Sequence, residues 1–165
     1  MDRLQGVASV ISIQKTTATD ELIWCARLMS DNEPWITLER SFSASIQLLQ
    51  DPASEVFLMT TENRPIGFVM IKLNGPFTGY IQTIVIIDDA RNKGIGEAAI
   101  KYVEVLIHKV SPNVFICVSS FNIRAQQLYL NMGFEIIGVL KNYIKKGYDE
   151  VLMRKTKGPL NDFNK

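Results

Sequence analysis

One short run in this sequence carries groups able to hold a phosphate: Arg91-Asn92-Lys93-Gly94-Ile95-Gly96. It separates an apolar, β-branched run, Tyr80 to Ile87, from a run at Glu97 to Val110. In the second run Ala99, Val103, Leu106 and Val110 recur at helical spacing. The first turn of a helix has four N–H donors without intrahelical partners, and its dipole is positive there. Glycines beside such a start let those donors approach a phosphate closely. The same glycines also suit a plain strand-to-helix turn, and alone they do not separate the two readings. Residue types exclude other chemistries. His108 is the only histidine, so neither a histidine-based triad nor a multi-histidine metal site can be built. Cys25 and Cys117 show no metal-ligand spacing, and no metal is expected.

The elements that must position this run read as follows. Val7 to Lys15 is a strand. Thr19-Asp20-Glu21 starts a helix, with a capping hydroxyl and first-turn acids, that ends near Met29. Asn32-Glu33-Pro34 is a turn, and Trp35 after it either covers the core or lines a groove. Leu38 to Gln50 is a second helix with Leu38, Phe42, Ile46 and Leu49 on one face. Glu55 to Thr61 and Ile66 to Leu73 are strands joined by a turn at Glu62 to Pro65. After the central strand and helix come a strand at Val114 to Ser119 and a helix from Asn122 to Met132. Strands at Phe134 to Leu140 and Tyr148 to Lys155 close the pattern, around a loop at Lys141 to Gly147. The order is β-α-α-β-β-β-α-β-α-β-β, an α/β (α+β mixed sheet) class with seven strands, four helices and helices on both faces. Tight turns make the early strands antiparallel, while the helical crossover between Tyr80 and Ser119 makes its two strands parallel.

The chain has 165 residues, 47% hydrophobic and 21% charged, and fits one domain, 1–165, with 1–6 and 157–165 as loose tails. A net charge of +1 argues against a nucleic-acid footprint or a polybasic membrane anchor. The apolar N-terminal run is too broken for a signal peptide, and no apolar stretch is long enough to span a bilayer. Two cysteines without a framework point to the reducing cytoplasm.

A second segment supports the phosphate reading. Asn122, Ala125, Tyr129, Gly133 and Phe134 stand in the spacing N-x-x-A-x-x-x-Y-x-x-x-G-F. Together with R-x-x-G-x-G at Arg91 to Gly96, and with the element order from Val7 to Lys155, this resembles the GNAT superfamily of acetyl-CoA-dependent N-acetyltransferases. A dinucleotide fingerprint is a poorer match, because the first glycine stands too far from the strand and no acid closes the next strand.

The resemblance implies a GNAT-like fold and transfer of an acetyl group from acetyl-CoA to a primary amine. The acceptor would be a small molecule, peptide or protein, and the enzyme a monomer or homodimer. Arg91, Asn92, Lys93, Gly94, Ile95, Gly96 and Glu97 would hold the pyrophosphate. Ile84, Val85 and Ile86 would pair by their backbone with the pantetheine arm, in a gap where two parallel strands splay apart. Asn122 would bond the cofactor arm, although it also suits a helix N-cap. Tyr129 would protonate the departing thiolate, although Gly133 and Phe134 also read as a helix C-cap on which it packs.

The chain departs from the family at the general base. Gln82 stands where many relatives place a glutamate on the central strand, and an amide cannot take a proton. Cys117, five residues before the motif asparagine, stands where others place one, and reads as a small buried hydrophobe. Glu33 or a relayed water remains. The acceptor would lie between Ser30 to Thr37, where Glu33 and Trp35 could receive a cationic amine, and Lys141 to Gly147, with Tyr143. Lys145 and Lys146 read as solvated. The missing bases also leave room for a non-catalytic acetyl-CoA-binding module.

Overall fold

The computed structural model describes residues 10–163. The expected loose start, Met1 to Gly6, the strand's first residues, Val7 to Ser9, and the last two tail residues lie outside them. Among the described residues the elements are β1 (Ile11–Thr16), α1 (Thr19–Ser30), α2 (Phe42–Leu49), β2 (Ser54–Thr61), β3 (Arg64–Lys72) and β4 (Tyr80–Ile86). They continue as α3 (Ile95–Ile107), β5 (Asn113–Ser119), α4 (Ile123–Asn131), β6 (Glu135–Leu140) and β7 (Glu150–Thr156). The seven strands form one mixed sheet in the order β1-β2-β3-β4-β5-β7-β6. Only β4 and β5 pair in parallel.

The continuous apolar runs of the central strands follow from burial on both faces. Along β2, Phe57 and Met59 face a layer made by Ile95, Ala99, Ile100, Val103 and Ile107 of α3 with Tyr129 of α4. Val56 and Leu58 face the other layer, Leu22, Cys25, Ala26 and Met29 of α1 with Leu49 of α2. Burial in that layer pushes the Cys25 thiol up to about 12, which leaves it unreactive at neutral pH.

Several expected caps and boundaries move, while the start of α1 at Thr19 stands. The cap of α1 is Ala18, whose N–H donates to the Thr16 hydroxyl, so Thr19 is already helical and caps nothing. The second helix starts at Phe42, not Leu38. Glu39 takes φ 56°, outside helical space, and Ser41 accepts from the Ala44 N–H to begin the helix there. Phe42 is consequently exposed. The β2–β3 hairpin needs only Glu62 and Asn63, both at positive φ, so β3 begins at Arg64. The α3 helix starts at Ile95 and stops before His108, which caps it, leaving Val110 exposed in a turn. The expected tail is tied down at its start by a Lys157 N–H bond to the Pro112 carbonyl and contains a short 3-10 turn, Leu160–Asp162.

One irregularity in the sheet shapes everything that follows. β4 pairs with β5 only at Tyr80 with Phe115 and at Ile81 with Ile116. On its other edge, the β3–β4 register steps from Ile71 opposite Ile81 to Met70 opposite Thr83, leaving Gln82 as an extra residue. Such a bulge bends a strand and shifts its side-chain parity. Accordingly Ile81 packs in the α3 layer, whereas Val85, also odd-numbered, packs in the α1–α2 layer. Beyond the bulge β4 leaves β5, and its edge toward β5 has no ladder partner among the described residues.

Candidate active site

The phosphate-loop candidate has the geometry its residues require. Gly94 caps α3 at φ 76° without any side-chain cap. The first bond of the helix runs from the Ala98 N–H to the Gly94 carbonyl, 3.0 Å. From Asn92 to Glu97 the backbone N–H groups meet no protein acceptor among the described residues. A Cβ built on Gly94 would meet nothing within 4 Å, so the space over these donors is open. Gly96 differs. A Cβ there would lie 3.4 Å from Ile86 Cδ1 and 3.7 Å from Leu128 Cδ2, so Gly96 serves the seating of α3 on β4 and α4.

Arg91 turns away from a purely solvated role. Its Nε donates to the Ile86 carbonyl (3.0 Å), one Nη donates to Asn32 Oδ1 (3.1 Å), and the other lies 2.8 Å from Asp88 Oδ1. It braces its own loop against the end of β4 and the loop after α1. Lys93 is exposed, and Glu97 pairs with Lys101 along the helix.

In the splayed region, Val85 is buried while Ile84 and Ile86 are half-buried against the α3 layer. The Gln82 Oε1 atom is buried and has no hydrogen-bond partner among the described residues. A buried acceptor left unmade costs about 1–3 kcal/mol, which a donor on a bound molecule would offset. Asn122 caps α4, accepting from the Ala125 N–H at 3.2 Å. At the other end of α4, the Gly133 N–H bonds the Leu130 carbonyl (3.0 Å) and the Phe134 N–H bonds the Tyr129 carbonyl (3.0 Å). With Gly133 at φ 92° this is a Schellman cap, and the Tyr129 and Phe134 rings meet at 6.0 Å. The packing role of Tyr129 is therefore real. Its hydroxyl has no hydrogen-bond partner among the described residues, and burial pushes the phenol well up, so it stays protonated at neutral pH.

On the opposite face, the two loops expected to grip an acceptor are joined by Lys145. Its Nζ donates to the Thr37 carbonyl (3.1 Å) and pairs with Glu39 at 2.9 Å. Lys145 is thus a latch and not the solvated lysine expected, because this partner comes from far along the chain. Lys146 is exposed. The Glu33 carboxylate accepts from the Thr37 N–H (3.2 Å) and hydroxyl (2.9 Å), which fixes its own turn. Trp35 packs on the α1–α2 core, and Tyr143 is exposed. A cleft of about 460 Å³ opens here, lined by Leu38, Glu39, Arg40, Gln47, Leu48 and Ile144.

One group that sequence reasoning missed lies nearby. Glu150, at the head of β7, is only 4% exposed, and the Ser119 hydroxyl donates to it at 2.8 Å. Burial pushes its carboxyl up, while the Ser119 bond and the Arg40 charge pull the other way. Tyr80 and Cys117 lie against each other beside it, and burial raises both. Its own strand, which also carries Arg154 and Lys155, gave no signal that sets this acid apart.

The chain is similar to known proteins over most of its length. The model of the acetyltransferase (GNAT) family matches residues 17–134. An N-alpha-acetyltransferase of Sulfurisphaera tokodaii is 23% identical over 153 residues, covering 84% of this chain and 87% of that protein. The fold superimposes on Arabidopsis thaliana NAA60 in complex with a bisubstrate analogue, with a TM-score of 0.73. The identity is 18%, and 89% of this chain and 98% of that one are covered. It also superimposes on an aminoglycoside 6'-N-acetyltransferase complexed with coenzyme A, with a TM-score of 0.72. There the identity is 16%, with coverages of 91% and 98%. The family match spans well over half of the chain and contains both the Arg91 loop and the Asn122 helix, so this chain belongs to the GNAT family of acetyltransferases.

Proposed function

We propose that this enzyme moves an acetyl group from acetyl-CoA to a primary amine of a peptide, protein or small molecule. The curated relative makes a peptide α-amine the first acceptor to try. The observation that carries the reading is the row of unpaired N–H groups from Asn92 to Glu97, under open space at the start of α3. These residues fit a pyrophosphate, with Arg91 and Lys93 adding positive charge. Acetyl-CoA supplies an acyl carbon already activated as a thioester. Ile84, Val85 and Ile86 offer the backbone edge that β5 leaves unpaired, and Asn122 still has its amide N–H donors for the cofactor arm. Tyr129 holds its proton for the departing sulfur. Gln82, through its unpaired carbonyl oxygen, orients the amine, with Trp35, Glu33 and Tyr143 on the acceptor side.

A thermal scan tests this. A ligand at 100-fold its dissociation constant stabilises by about 2.7 kcal/mol, or roughly 5–10 °C for a domain of this size. CoA and acetyl-CoA are expected to shift the melting temperature so, and NAD and ATP far less. No shift with CoA would remove the assignment. Turnover is then read as free thiol over a panel of amines.

Gln82→Ala is expected to raise KM for the amine and leave the acidic limb of the pH–rate profile in place, because an amide does not titrate. A displaced acidic limb in that variant would contradict this account of the site.

A further inference from the structure

We propose that Glu150 is the proton acceptor for the attacking amine. This rests on the acetyltransferase reading above, and it supplies the base that neither Gln82 nor Cys117 can provide.

The placement follows from strand parity. Val114, Ile116 and Val118 of β5, and Val151 and Met153 of β7, pack in the α3 layer. Cys117, Ser119, Leu152 and Glu150 therefore face the α1–α2 side, where the acceptor loops meet. In the β5–β7 register Ser119 stands opposite Glu150 and Cys117 opposite Leu152. Glu150 is thus the diagonal neighbour of Cys117, near enough for its charge to act on both Cys117 and Tyr80. Cys117 stands at the position where related enzymes were expected to carry a glutamate. Here the carboxylate reaches the same face from the next strand. The site lies beside the point where β4 leaves β5.

A structural role explains Glu150 poorly. A carboxylate 4% exposed, whose one hydrogen-bond partner among the described residues is a neutral hydroxyl and whose one favourable charge is Arg40, is an unfavourable way to open a strand. The groups facing it are Ser119 and Cys117 of β5, Tyr80 of β4, Arg40 of the loop before α2, and, at the far side of Tyr80, Tyr143. Burial raises the Glu150 carboxyl toward the range useful to a base near neutrality, and Ser119 and Arg40 keep it ionisable.

The step balances as follows. The acceptor ammonium gives a proton to the Glu150 carboxylate. The freed nitrogen lone pair forms the C–N bond at the thioester carbonyl carbon, and the C–S bond breaks with its electron pair on sulfur. Tyr129 protonates the sulfur and Glu150 returns its proton to water; Tyr129 is reprotonated by the proton that the new amide nitrogen sheds. The net products are amide, CoA thiol and one proton.

The test compares wild type, Glu150→Gln and Ser119→Ala at saturating acetyl-CoA across pH, with a peptide bearing a free N-terminus among the amines. Glu150→Gln is expected to lower kcat by about 10²–10⁴-fold and to abolish the limb that wild type loses as pH falls. Its CoA-induced thermal shift should match that of wild type. A carboxyl whose folded pKa is raised destabilises the fold above that pKa, so the neutral amide should keep or raise the melting temperature at pH 7. In Ser119→Ala the acidic limb should move to higher pH, because the bond favouring the carboxylate is lost. Formate should partly restore turnover to Glu150→Ala, which a merely structural glutamate would not allow. An undiminished Glu150→Gln beside an active wild type overturns this proposal alone. A wild type that binds CoA yet turns over no amine overturns the transferase reading and the proposal with it.

Discussion

Tyr129→Phe is expected to lower kcat by about 10²–10⁴-fold while leaving CoA affinity and the melting temperature close to wild type. The phenylalanine keeps the ring that meets Phe134 at 6.0 Å and the Schellman cap beneath it, and removes only a hydroxyl that no described residue bonds. Burial raises the phenol, so the group is protonated across the working range and contributes no limb to the pH profile. Tyr129→Ala is expected to act differently. It empties a 5% exposed core position and should cost about 3–5 kcal/mol of stability. The pair separates chemistry from packing. A Phe variant with undiminished kcat, measured where chemistry limits turnover, would falsify the general-acid role and leave Tyr129 as the core side of a helix cap.

The second large effect is expected at the phosphate loop, where the two glycines part company. Gly94→Val puts a β-branched residue at φ 76°, a strain of about 1–3 kcal/mol, and puts its side chain in the open space over the unpaired N–H groups. Losing one charge-assisted bond to the pyrophosphate, worth about 1.5–3 kcal/mol, should weaken CoA binding by roughly 10–100-fold. Gly96→Ala should do little of this. Its position is helical, its Cβ would meet Ile86 at 3.4 Å, and helix propensity gains up to about 1 kcal/mol. Calorimetric titration of CoA into both variants decides the matter. Equal binding by Gly94→Val and wild type, or an equal loss in Gly96→Ala, would show that the donors do not hold the cofactor at this loop.

Arg91 and Glu150 mark the limits of motif reading from opposite sides. Arg91 stood out in the sequence as part of a candidate phosphate loop, and the structure adds a brace to the Ile86 carbonyl and to Asn32 that spacing cannot reveal. Glu150 was invisible, because its partners Ser119 and Arg40 come from other elements and its own segment carries no motif. Likewise Lys145 read as solvated, since its acceptor, the Thr37 carbonyl, lies 108 residues away.

What the sequence by itself determined is what short-range forces decide. The glycine at the α3 start, the Asn122 cap, the Gly133-Phe134 stop and the apolar spacing of Ala99 and Val103 each depend on contacts within a few residues, and each stands in the structure. The helix start at Thr19 stands, but its capping role and the helix start at Leu38 were misplaced, because a neighbouring hydroxyl and one positive φ outweighed propensity. The tertiary structure alone decided the bulge at Gln82, the departure of β4 from β5, and the meeting of Glu150 with Ser119, Cys117 and Tyr80. Strand register is set by the packing of whole layers, and one extra residue in a strand changes which face every later side chain takes. No local pattern encodes that choice, and the proposed acceptor side of the site depends on it.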